Sequence, residues 1–439
     1  MKTMGIDIGT TTVSIVLLDI ASGTLIDRVT VEHHAFYKET LPDEKIQDPE
    51  RIYRVVKENM QSMIDRQGKP DVIGFTGQMH GMLYIDALGN AVSPLYTWQD
   101  ERSDRKNGDH SSVGYLKKYV GYTAAGYGLS THFYLQKTGA IPESAVKMVT
   151  ISDYIAMRLC QCKEAMIGAD MAASWGCFDL KHKRFLEEEL AQAGVEISYL
   201  PKVRTEHFFI GETLGGVKVM GSIGDNQASV FGSVTDLQAS VLLNVGTGSQ
   251  VSVVTDRYVE SSGATELRPL EKESYLLAGA SLCGGRAYAL LEQFYREVTG
   301  DTQECYSRMY AQAEDFLEKY GLEAAWKVRT TFSGSRDCPD EKGSISGIST
   351  ENFHPGALTV GMIMGILEEL YVQYENMCSL TGKRASRLVG SGNGLRRNPL
   401  MQNLAEKLFG MQMTISAYEE EAACGAALCA GRLCNTELM

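Results

Sequence analysis

The chain opens with alternating apolar and polar positions that predict a β-hairpin. Residues 4–18, GIDIGTTTVSIVLLD, read as a strand, a tight turn of glycine and threonines, and a second strand rich in β-branched residues. Further strands are predicted at 25–36 and 72–76. Residues 49–66, between them, carry apolar side chains at helical spacing: Ile52, Val55, Val56, Met60, Met63 and Ile64. Strands that alternate with helices predict an α/β domain built on a central sheet.

The pattern of the opening hairpin returns in residues 241–255, VLLNVGTGSQVSVVT. Many hairpins carry Gly-Thr, but each copy here opens one half of the chain and has an acidic or amide residue before the turn. The separation is too long for a solenoid or propeller repeat, so it favours a duplicated domain. We therefore predict two related domains, 1–219 and 220–439. The corresponding residues are Asp7 and Asn244, Gly9 and Gly246, and Thr10 and Thr247.

The second half continues the alternation of strands and helices. Strands are predicted at 274–278 and up to residue 389, and helices at 287–298, 358–380 and 399–409. Each half of the chain is therefore predicted to form its own α/β domain.

Composition and charge narrow the class of protein. A chain of 439 residues with 44% hydrophobic residues is long enough for two globular cores. A formal net charge of −13 argues against nucleic acids or anionic membranes as partners. No apolar run approaches the roughly 20 residues that span a bilayer, and no export signal opens the chain. We expect a cytoplasmic protein whose ten scattered cysteines are reduced.

Three turns rich in glycine and hydroxyl side chains are candidates for phosphate binding: 9–12 (GTTT), 246–249 (GTGS) and 390–394 (GSGNG). Their backbone N–H groups are accessible because side-chain bulk is small. Each alone is more often a structural turn. Two equivalent hairpins facing each other, with a third turn between a strand and a helix, would form a nucleotide clamp. The chain contains neither a GxxxxGK[ST] loop nor a dinucleotide GxGxxG at the first hairpin, so the clamp belongs to another nucleotide-binding class.

Two aspartates are candidates for the chemistry on phosphate. Asp7 lies inside the first strand, where a charge has little structural reason, and one or two carboxylates are enough to orient Mg²⁺ on a triphosphate. The other reading is that Asp7 bonds local amides of the turn. Asp225 starts a predicted helix in GDNQAS, and it either caps that helix or accepts the proton of a hydroxyl that is being phosphorylated.

Polar side chains cluster in Gly77–Gly81 (GQMHG) and 97–102 (TWQDER), both predicted to follow strands. Amides, an imidazole, a carboxylate and a guanidinium beside a tryptophan match the needs of a polyhydroxylated ligand. A histidine alone would more often have a structural role, but His80 together with these polar and aromatic residues favours a sugar site. The candidate sugar contacts are Gln78, Met79, His80, Trp98, Asp100 and Arg102.

Motifs along nearly the whole chain resemble those of the FGGY carbohydrate kinases. They occur in the family order, which makes chance agreement improbable. The matching segments are GIDIGTTT (5–12), GFTGQMHG (74–81), TWQDER (97–102), GDNQAS (224–229), NVGTGS (244–249), GSGNGLRRNPLM (390–401) and EEAACGAAL (420–428).

The resemblance implies two ribonuclease H-like domains of the actin-like ATPase fold, with ATP in the cleft between them. It also implies that Asp225 is the catalytic base and that Asp7 holds Mg²⁺. By the same resemblance, Gln78, His80, Asp100 and Arg102 hold the sugar. Phosphate contacts are implied for Thr10, Thr11, Thr12, Thr247 and Gly248, and nucleoside contacts for Gly279, Gly392, Asn393 and Asn398. The third turn, GSGNG, departs from the usual Gly-Gly-Gly/Ala of the family, which affects the nucleoside contacts.

The expected activity is transfer of phosphate from ATP to the terminal primary hydroxyl of a ketose. The combination of TWQDER, SDYIAMRL (152–159), AASWGCFD (172–179) and GDNQASV (224–230) is most similar to family members that act on sedoheptulose. A kinase for xylulose, ribulose or another polyol is the near alternative. Alternatives of other classes are an actin-like ATPase without a sugar substrate and a sugar sensor that has lost catalysis. The expected partners are ATP and a small sugar, and the chain is expected to be a monomer or a homodimer.

Overall fold

The structure is a computed structural model that describes residues 1–38, 41–107, 109–261, 265–334, 338 and 340–437. The chain forms two compact α/β units. The first comprises Met1–Gly232, Arg268–Ser274 and Glu420–Met439, and the second comprises Ser233–Leu267 and Tyr275–Glu419. The predicted domains 1–219 and 220–439 were defined by the repeated sequence pattern, whereas these units are defined by contacts within the structure. The predicted boundary therefore stays a prediction.

The first unit alternates short strands with helices. Its strands are β1 (Lys2–Ile8), β2 (Thr12–Asp19), β3 (Thr24–Glu32), β4 (Ile46–Gln47), β5 (Val72–Gly77), β6 (Leu83–Ile85), β7 (Leu95–Tyr96), β8 (Lys106–Asn107), β9 (His110–Ser111), β10 (Lys147–Val149), β11 (Met166–Gly168), β12 (Phe178–Asp179), β13 (Arg184–Phe185), β14 (Lys202–Arg204), β15 (Phe209–Glu212), β16 (Lys218–Met220) and β17 (Ile223–Gly224). Its helices are α1 (Pro49–Gln67), α2 (Ser112–Val120), α3 (Gly128–Lys137), α4 (Ile151–Cys160), α5 (Ala169–Ser174), α6 (Glu187–Gln192) and α7 (Asp225–Ser233), and it also contains the C-terminal helix Glu421–Glu437.

Among the described residues, seven strands of the first unit form its central sheet, in the order β15-β16-β5-β1-β2-β3 with β17 also paired to β5. The predicted opening hairpin is confirmed, because β1 and β2 pair antiparallel from Lys2 with Asp19 to Ile8 with Val13. β1 also pairs parallel with β5, so both strands end at the same edge of the sheet. The turn after β1 and the segment after β5 are therefore neighbours at that edge.

The predicted amphipathic helix is confirmed as α1, and its inner face is buried in the core over the sheet. Asp48 caps the helix by accepting hydrogen bonds from the N–H groups of Glu50 and Arg51, and Pro49 occupies the first turn, where its missing N–H costs nothing. A second apolar core surrounds Trp175, which is fully buried, and contains the segment that follows β5.

The C-terminal helix lies against the sheet at two glycines. A Cβ atom on Gly5 would come within 1.8 Å of the Ala423 carbonyl oxygen, and one on Gly74 within 2.1 Å of the Ala426 carbonyl oxygen. Glycine is therefore required where the helix backbone touches β1 and β5. This contact brings Glu420, the residue before the helix, to the edge of the sheet where β1 ends.

The second unit contains the remaining elements. Its strands are β18 (Ser240–Val245), β19 (Ser249–Thr255), β20 (Thr265–Pro269, whose last two residues belong to the first unit), β21 (Tyr275–Ser281), β22 (Lys327–Arg329), β23 (Ser344–Ser346), β24 (Arg387–Ser391) and β25 (Met413–Ile415). Its helices are α8 (Gly284–Thr299), α9 (Tyr306–Tyr320), α10 (Pro355–Thr381), α11 (Asn393–Arg396) and α12 (Pro399–Phe409), after which the C-terminal helix of the first unit is α13.

The strand arrangement of the first sheet recurs in the second. Its order is β20-β21-β19-β18-β24-β25, in which β18 pairs antiparallel with β19 and parallel with β24. β1 makes the same two kinds of pair with β2 and β5, so the two hairpins hold equivalent places in their sheets. The described residues therefore confirm the second hairpin and the second α/β layer.

Helix α10 is long and apolar enough to cross a membrane by length and composition, which the sequence reading did not expect. Because 61% of its most apolar stretch is buried inside the structure, it has the surroundings of a core helix. The structure shows no disulfide among the described cysteines, and Cys424, Cys429 and Cys434 are buried along α13.

Candidate active site

Two other carboxylates of the first unit, those of Asp225 and Glu420, act electrostatically on Asp7 near the end of β1. Burial, together with the nearby negative charges of Asp225 and Glu420, raises the pKa of Asp7 to about 7. Burial also raises the pKa of Asp225, while the positive charge of Arg268 opposes that shift. Asp7, the predicted magnesium ligand, and Asp225, the predicted base, thus lie close enough to interact electrostatically.

The backbone that leads to Asp225 is held by two other buried aspartates. The N–H of Ser222 donates to Asp153 Oδ1 at 2.9 Å, and the N–H of Gly224 donates to Asp170 Oδ2 at 2.8 Å. Burial raises the pKa of Asp153 to about 6 and that of Asp170 to about 7. These bonds fix the direction in which the chain enters α7, and therefore the position of Asp225.

Asp225 is the first residue of α7, and its neighbour Asn226 contacts the segment that follows β5. The Oδ1 atom of Asp225 accepts hydrogen bonds from the backbone N–H and the side-chain amide of Asn226, at 2.7 and 2.8 Å. The same amide lies 3.9 Å from the sulfur of Met79. A Cβ on Gly224 would lie 2.4 Å from Gln227 Oε1 and 2.8 Å from that sulfur, so both side chains pack closely on this glycine. The structure thus brings the predicted base beside a predicted sugar contact.

The turn between β1 and β2 is tied to other predicted site residues. Its Gly9 N–H donates to the Thr12 carbonyl at 2.9 Å, and Trp98 Nε1 donates to Thr10 Oγ1 at 3.0 Å. The side chain of Gln78 lies next to this turn, with its amide nitrogen 3.5 Å from the Gly9 carbonyl oxygen. Thr11 is exposed at the tip. The predicted phosphate turn and two predicted sugar contacts therefore form one cluster.

His80 is held in an uncommon backbone conformation, with φ at 73°. Its N–H donates to Ser174 Oγ at 3.0 Å, and its Nδ1 lies 2.6 Å from the Ser174 carbonyl oxygen. A carbonyl only accepts, so Nδ1 carries the proton in this arrangement. The ring stacks on Tyr127 with centroids 4.5 Å apart. Such fixed, strained residues are concentrated at functional sites.

Asp100 and Arg102 form a buried ion pair inside their own loop. The guanidinium donates to both carboxylate oxygens of Asp100, at 2.6 and 2.9 Å, and lies 4.7 Å from the ring of Tyr96. Asp100 Oδ2 also accepts from the N–H of Lys45, and the residue has no exposed surface. The prediction that these two residues contact the sugar stays untested, and their surroundings favour a role in holding the loop.

The predicted nucleotide contacts of the second unit lie at its own hairpin and glycine turns. In the hairpin, the Gly246 N–H donates to the Gly248 carbonyl at 2.9 Å, and Thr247 is exposed. A Cβ on Gly392 would lie 2.5 Å from the Val245 carbonyl oxygen, so this glycine lets the third turn approach the hairpin.

The three other predicted nucleoside contacts lie in a strand or at the start of a helix of the second unit. Gly279 lies in β21, against the side chain of Gln373. Asn398 caps α12 by accepting from the Met401 N–H at 3.0 Å, whereas Asn393 is exposed at the start of α11. The roles of Gly279, Asn393 and Asn398 in nucleotide binding stay predictions.

Several residues that shape the site were not found from the sequence. Asp153 and Asp170 lie in ordinary helix starts, and nothing local distinguishes them from caps. Glu420 and Arg268 reach the site from distant parts of the chain, so only the fold brings them there. Tyr127 follows a glycine in a segment without a clear hydrophobic periodicity, so its stacking on His80 was not predictable.

Two sequence models of one family match almost the whole chain. The one for the FGGY family of carbohydrate kinases, N-terminal domain, matches residues 2–242, and the one for the C-terminal domain matches residues 241–434. The chain is 28% identical to sedoheptulokinase of Mus musculus, over 97% of this chain and 96% of that protein. It is 23% identical to xylulose kinase of Staphylococcus xylosus, over 97% and 90%.

A solved structure shares the fold. Gluconate kinase from Lactobacillus acidophilus superposes with a TM-score of 0.83 at 21% identity, covering 99% of this chain and 89% of that one. This likeness confirms the predicted α/β fold of the actin-like ATPase class. With both family domains matched in order along residues 2–434, the chain belongs to the FGGY family of carbohydrate kinases and is a sugar kinase.

Proposed function

We propose that this kinase transfers the γ-phosphoryl group of ATP to the terminal primary hydroxyl of a ketose, and that sedoheptulose is converted to sedoheptulose 7-phosphate. Support comes from the two relatives above, since identity is 28% to a sedoheptulokinase and 23% to a xylulose kinase over the same share of the chain. A xylulose, ribulose or other polyol kinase is the alternative within the family. Family membership argues against an actin-like ATPase that lacks a sugar substrate.

The observation that carries the proposal is the position of Asp225 in the first unit. It lies beside the segment of Met79 and within electrostatic reach of Asp7. In the proposed reaction, the hydroxyl oxygen of the sugar attacks the γ-phosphorus, the bond from phosphorus to the ADP oxygen breaks, and the hydroxyl proton passes to Asp225. A carboxylate within hydrogen-bond reach of the hydroxyl orients it as well as accepting the proton.

Mg²⁺ fits the surroundings of Asp7. The described residues offer no group of three or more metal-binding side chains that would hold an ion by themselves. Mg²⁺ bound to a nucleotide needs only one or two carboxylates, because phosphate oxygens and water complete its shell. The pKa of Asp7 is raised by burial and by repulsion from two other carboxylates, and a bound cation would favour its ionised form. When bound, the ion would neutralise charge on the phosphates, and Asp7 would orient it.

We assign the other predicted residues to two binding roles. Phosphate contacts are proposed from the turn of Thr10, Thr11 and Thr12 in the first unit and from Thr247 and Gly248 in the second. Nucleoside contacts are proposed for Gly279, Gly392, Asn393 and Asn398.

Sugar contacts are proposed for Gln78, Met79, His80 and Trp98. The Nε2 atom of the His80 tautomer accepts hydrogen bonds, which suits a sugar hydroxyl. Asp100 and Arg102 are proposed to position the loop that carries Trp98, in accordance with their buried ion pair. A cytoplasmic location and a monomer or homodimer complete the proposal.

A panel of acceptors tests this function. Purified protein is incubated with ATP, Mg²⁺ and C5 to C7 ketoses, and ADP release is followed together with the mass of the phosphorylated product. We expect sedoheptulose to give the highest kcat/KM and a product with phosphate on its terminal carbon. A higher kcat/KM for xylulose or ribulose would replace the substrate, and ATP turnover that no sugar stimulates would contradict the function.

A further inference from the structure

Arg268 reaches the candidate active site from a short segment of the chain. Residues Arg268–Ser274 belong to the first unit, although the residues on either side of them belong to the second. The carbonyl of Pro269 accepts a hydrogen bond from Gln227 Nε2 at 3.0 Å. Gln227 is fully buried and lies two residues after Asp225 on α7. This bond fixes the backbone of Arg268 beside the start of that helix.

The charged and aromatic groups around Arg268 are those of the proposed acceptor site. The groups with which its guanidinium interacts electrostatically are Asp225, Tyr127 and Tyr122. The ring of Tyr127 stacks on that of His80 at 4.5 Å, and its hydroxyl lies 3.4 Å from that of Tyr122. The guanidinium is therefore within electrostatic reach of the proposed base and of the two tyrosines next to a proposed sugar contact.

The guanidinium of Arg268 and the carboxylate of Asp225 provide a hydrogen-bond donor and a hydrogen-bond acceptor in the same partly buried region. Arg268 and Asp225 are each only partly exposed. The guanidinium only donates hydrogen bonds, and an ionised carboxylate only accepts them. Removing such a pair from water costs free energy, so its presence is weak evidence for stability and better evidence for function.

Two hydroxyls on adjacent carbon atoms match this pair. We propose, resting on the proposed function, that Asp225 and Arg268 together recognise the vicinal diol at the reacting end of the acceptor. The terminal hydroxyl donates to Asp225, and the oxygen of the neighbouring hydroxyl accepts from Arg268. Arg268 exchanges no proton in the reaction. The site therefore selects acceptors with a hydroxyl on the carbon next to the one that is phosphorylated, and Arg268 is a specificity-determining residue.

Paired acceptors and substitutions at one position test the proposal. The acceptors are the ketose that the unaltered chain phosphorylates best and its deoxy analogue that lacks only the neighbouring hydroxyl. The variants are Arg268→Gln, Arg268→Lys and, as a matched control, Lys272→Gln, which changes an exposed residue of the same segment. Steady-state kcat/KM is measured for each pair, together with the binding of an ATP analogue and the melting temperature.

We expect the unaltered chain and the control to prefer the full ketose by roughly 10-fold to 100-fold, the range for one hydrogen bond to a charged group. Arg268→Gln should lower kcat/KM for the ketose by a similar factor and hardly change it for the deoxy analogue, so that the preference falls to about 1. Arg268→Lys keeps the charge without the planar fork and should retain an intermediate preference.

Other outcomes would refute the proposal or limit it. Equal losses for both acceptors would show that Arg268 acts only through Asp225 or the fold, and an unaltered chain without the preference would exclude the diol contact. If Arg268→Gln does not fold, an unchanged preference in Arg268→Lys overturns the assignment and a reduced one supports it. If the unaltered chain phosphorylates the ketose and Arg268→Gln keeps the same preference, only this inference is refuted. If the unaltered chain phosphorylates no sugar, the proposed function is refuted as well.

Discussion

Replacing Asp170 by asparagine should flatten the dependence of stability on pH. Asp170 is buried, and its pKa is raised to about 7 from a value of 3.8 outside the fold. The folded chain therefore binds this proton more tightly than the unfolded chain does. The resulting stabilisation is complete below about pH 4 and is lost as the pH rises to about 7.

The size of the effect follows from the two pKa values. A difference of about 3 pKa units corresponds to roughly 4 kcal/mol in full, and the part lost between pH 5 and pH 7.5 is roughly 2–3 kcal/mol. Asparagine keeps an oxygen that accepts the Gly224 N–H but does not titrate. Asp170→Asn should therefore be less sensitive to pH by that amount, while Asp153, whose pKa is raised to about 6, still contributes its own slope.

The assay is urea unfolding of the unaltered chain and of Asp170→Asn at several pH values from 5 to 7.5, with the first unfolding transition compared at each pH. The free energies of unfolding should converge at low pH and diverge as the pH rises, with the variant the more stable at pH 7.5. Parallel curves for the two proteins would refute the reasoning, because they would show that Asp170 titrates alike in the folded and unfolded chains.

Three further changes test the fold and the site. Gly74→Ala should destabilise the chain by at least about 1–3 kcal/mol, because its Cβ would clash with the carbonyl of Ala426 in α13, whereas Gly114→Ala, an open helical position, should be neutral or slightly stabilising; equal melting temperatures would be inconsistent with the packing of α13. Trp98→Phe removes the bond to the phosphate turn and should raise the KM for ATP by about 3-fold to 10-fold, and an unchanged KM would separate that turn from the nucleotide. Asp7→Asn should raise the Mg²⁺ concentration for half-maximal rate by about 10-fold or more, and an unaltered Mg²⁺ titration would remove Asp7 from the metal site.

The elements with strong local patterns were predictable from the sequence. The predicted helix 399–409 coincides with α12, and the helix predicted at 49–66 extends by one residue in α1. In both, an acceptor side chain caps the first turn and proline follows it, so local chemistry and the fold agree. The opening hairpin was predictable for a similar reason, since a Gly-Thr turn joins two strongly alternating strands.

Elements set by tertiary contacts were predicted less well. Helix α8 begins at Gly284, three residues before its predicted start at 287, because two glycines of low helix propensity are fitted against the hairpin of the second unit. Strand β21 continues to Ser281, beyond the predicted end at 278, because its pairing with β19 continues to Ser249. Pairing partners so far along the chain leave no local sign.

The candidate site divides in the same way. Asp7 could be chosen as a candidate from the sequence because a charge inside a strand is unusual. Asp225 fitted a helix cap equally well, and only the family resemblance selected it as the candidate base. Arg268 follows no motif. Asp225, Tyr127 and Tyr122, with which it interacts, lie between 43 and 146 residues earlier in the sequence, so only the fold of the first unit brings them together. The ion pair of Asp100 and Arg102 is local, yet its burial depends on Tyr96 and on Glu44, which the motif TWQDER does not include.

The most direct test of the account is sugar phosphorylation by Asp225→Asn. The amide keeps the shape of the side chain but cannot accept the hydroxyl proton, so we predict that kcat/KM for the best ketose falls by about 10²–10⁴-fold. Binding of an ATP analogue, measured on the same preparation, should stay within about 3-fold of that of the unaltered chain, because Asp225 has no proposed nucleotide contact. A variant that phosphorylates the ketose at close to the original rate would contradict the central claim.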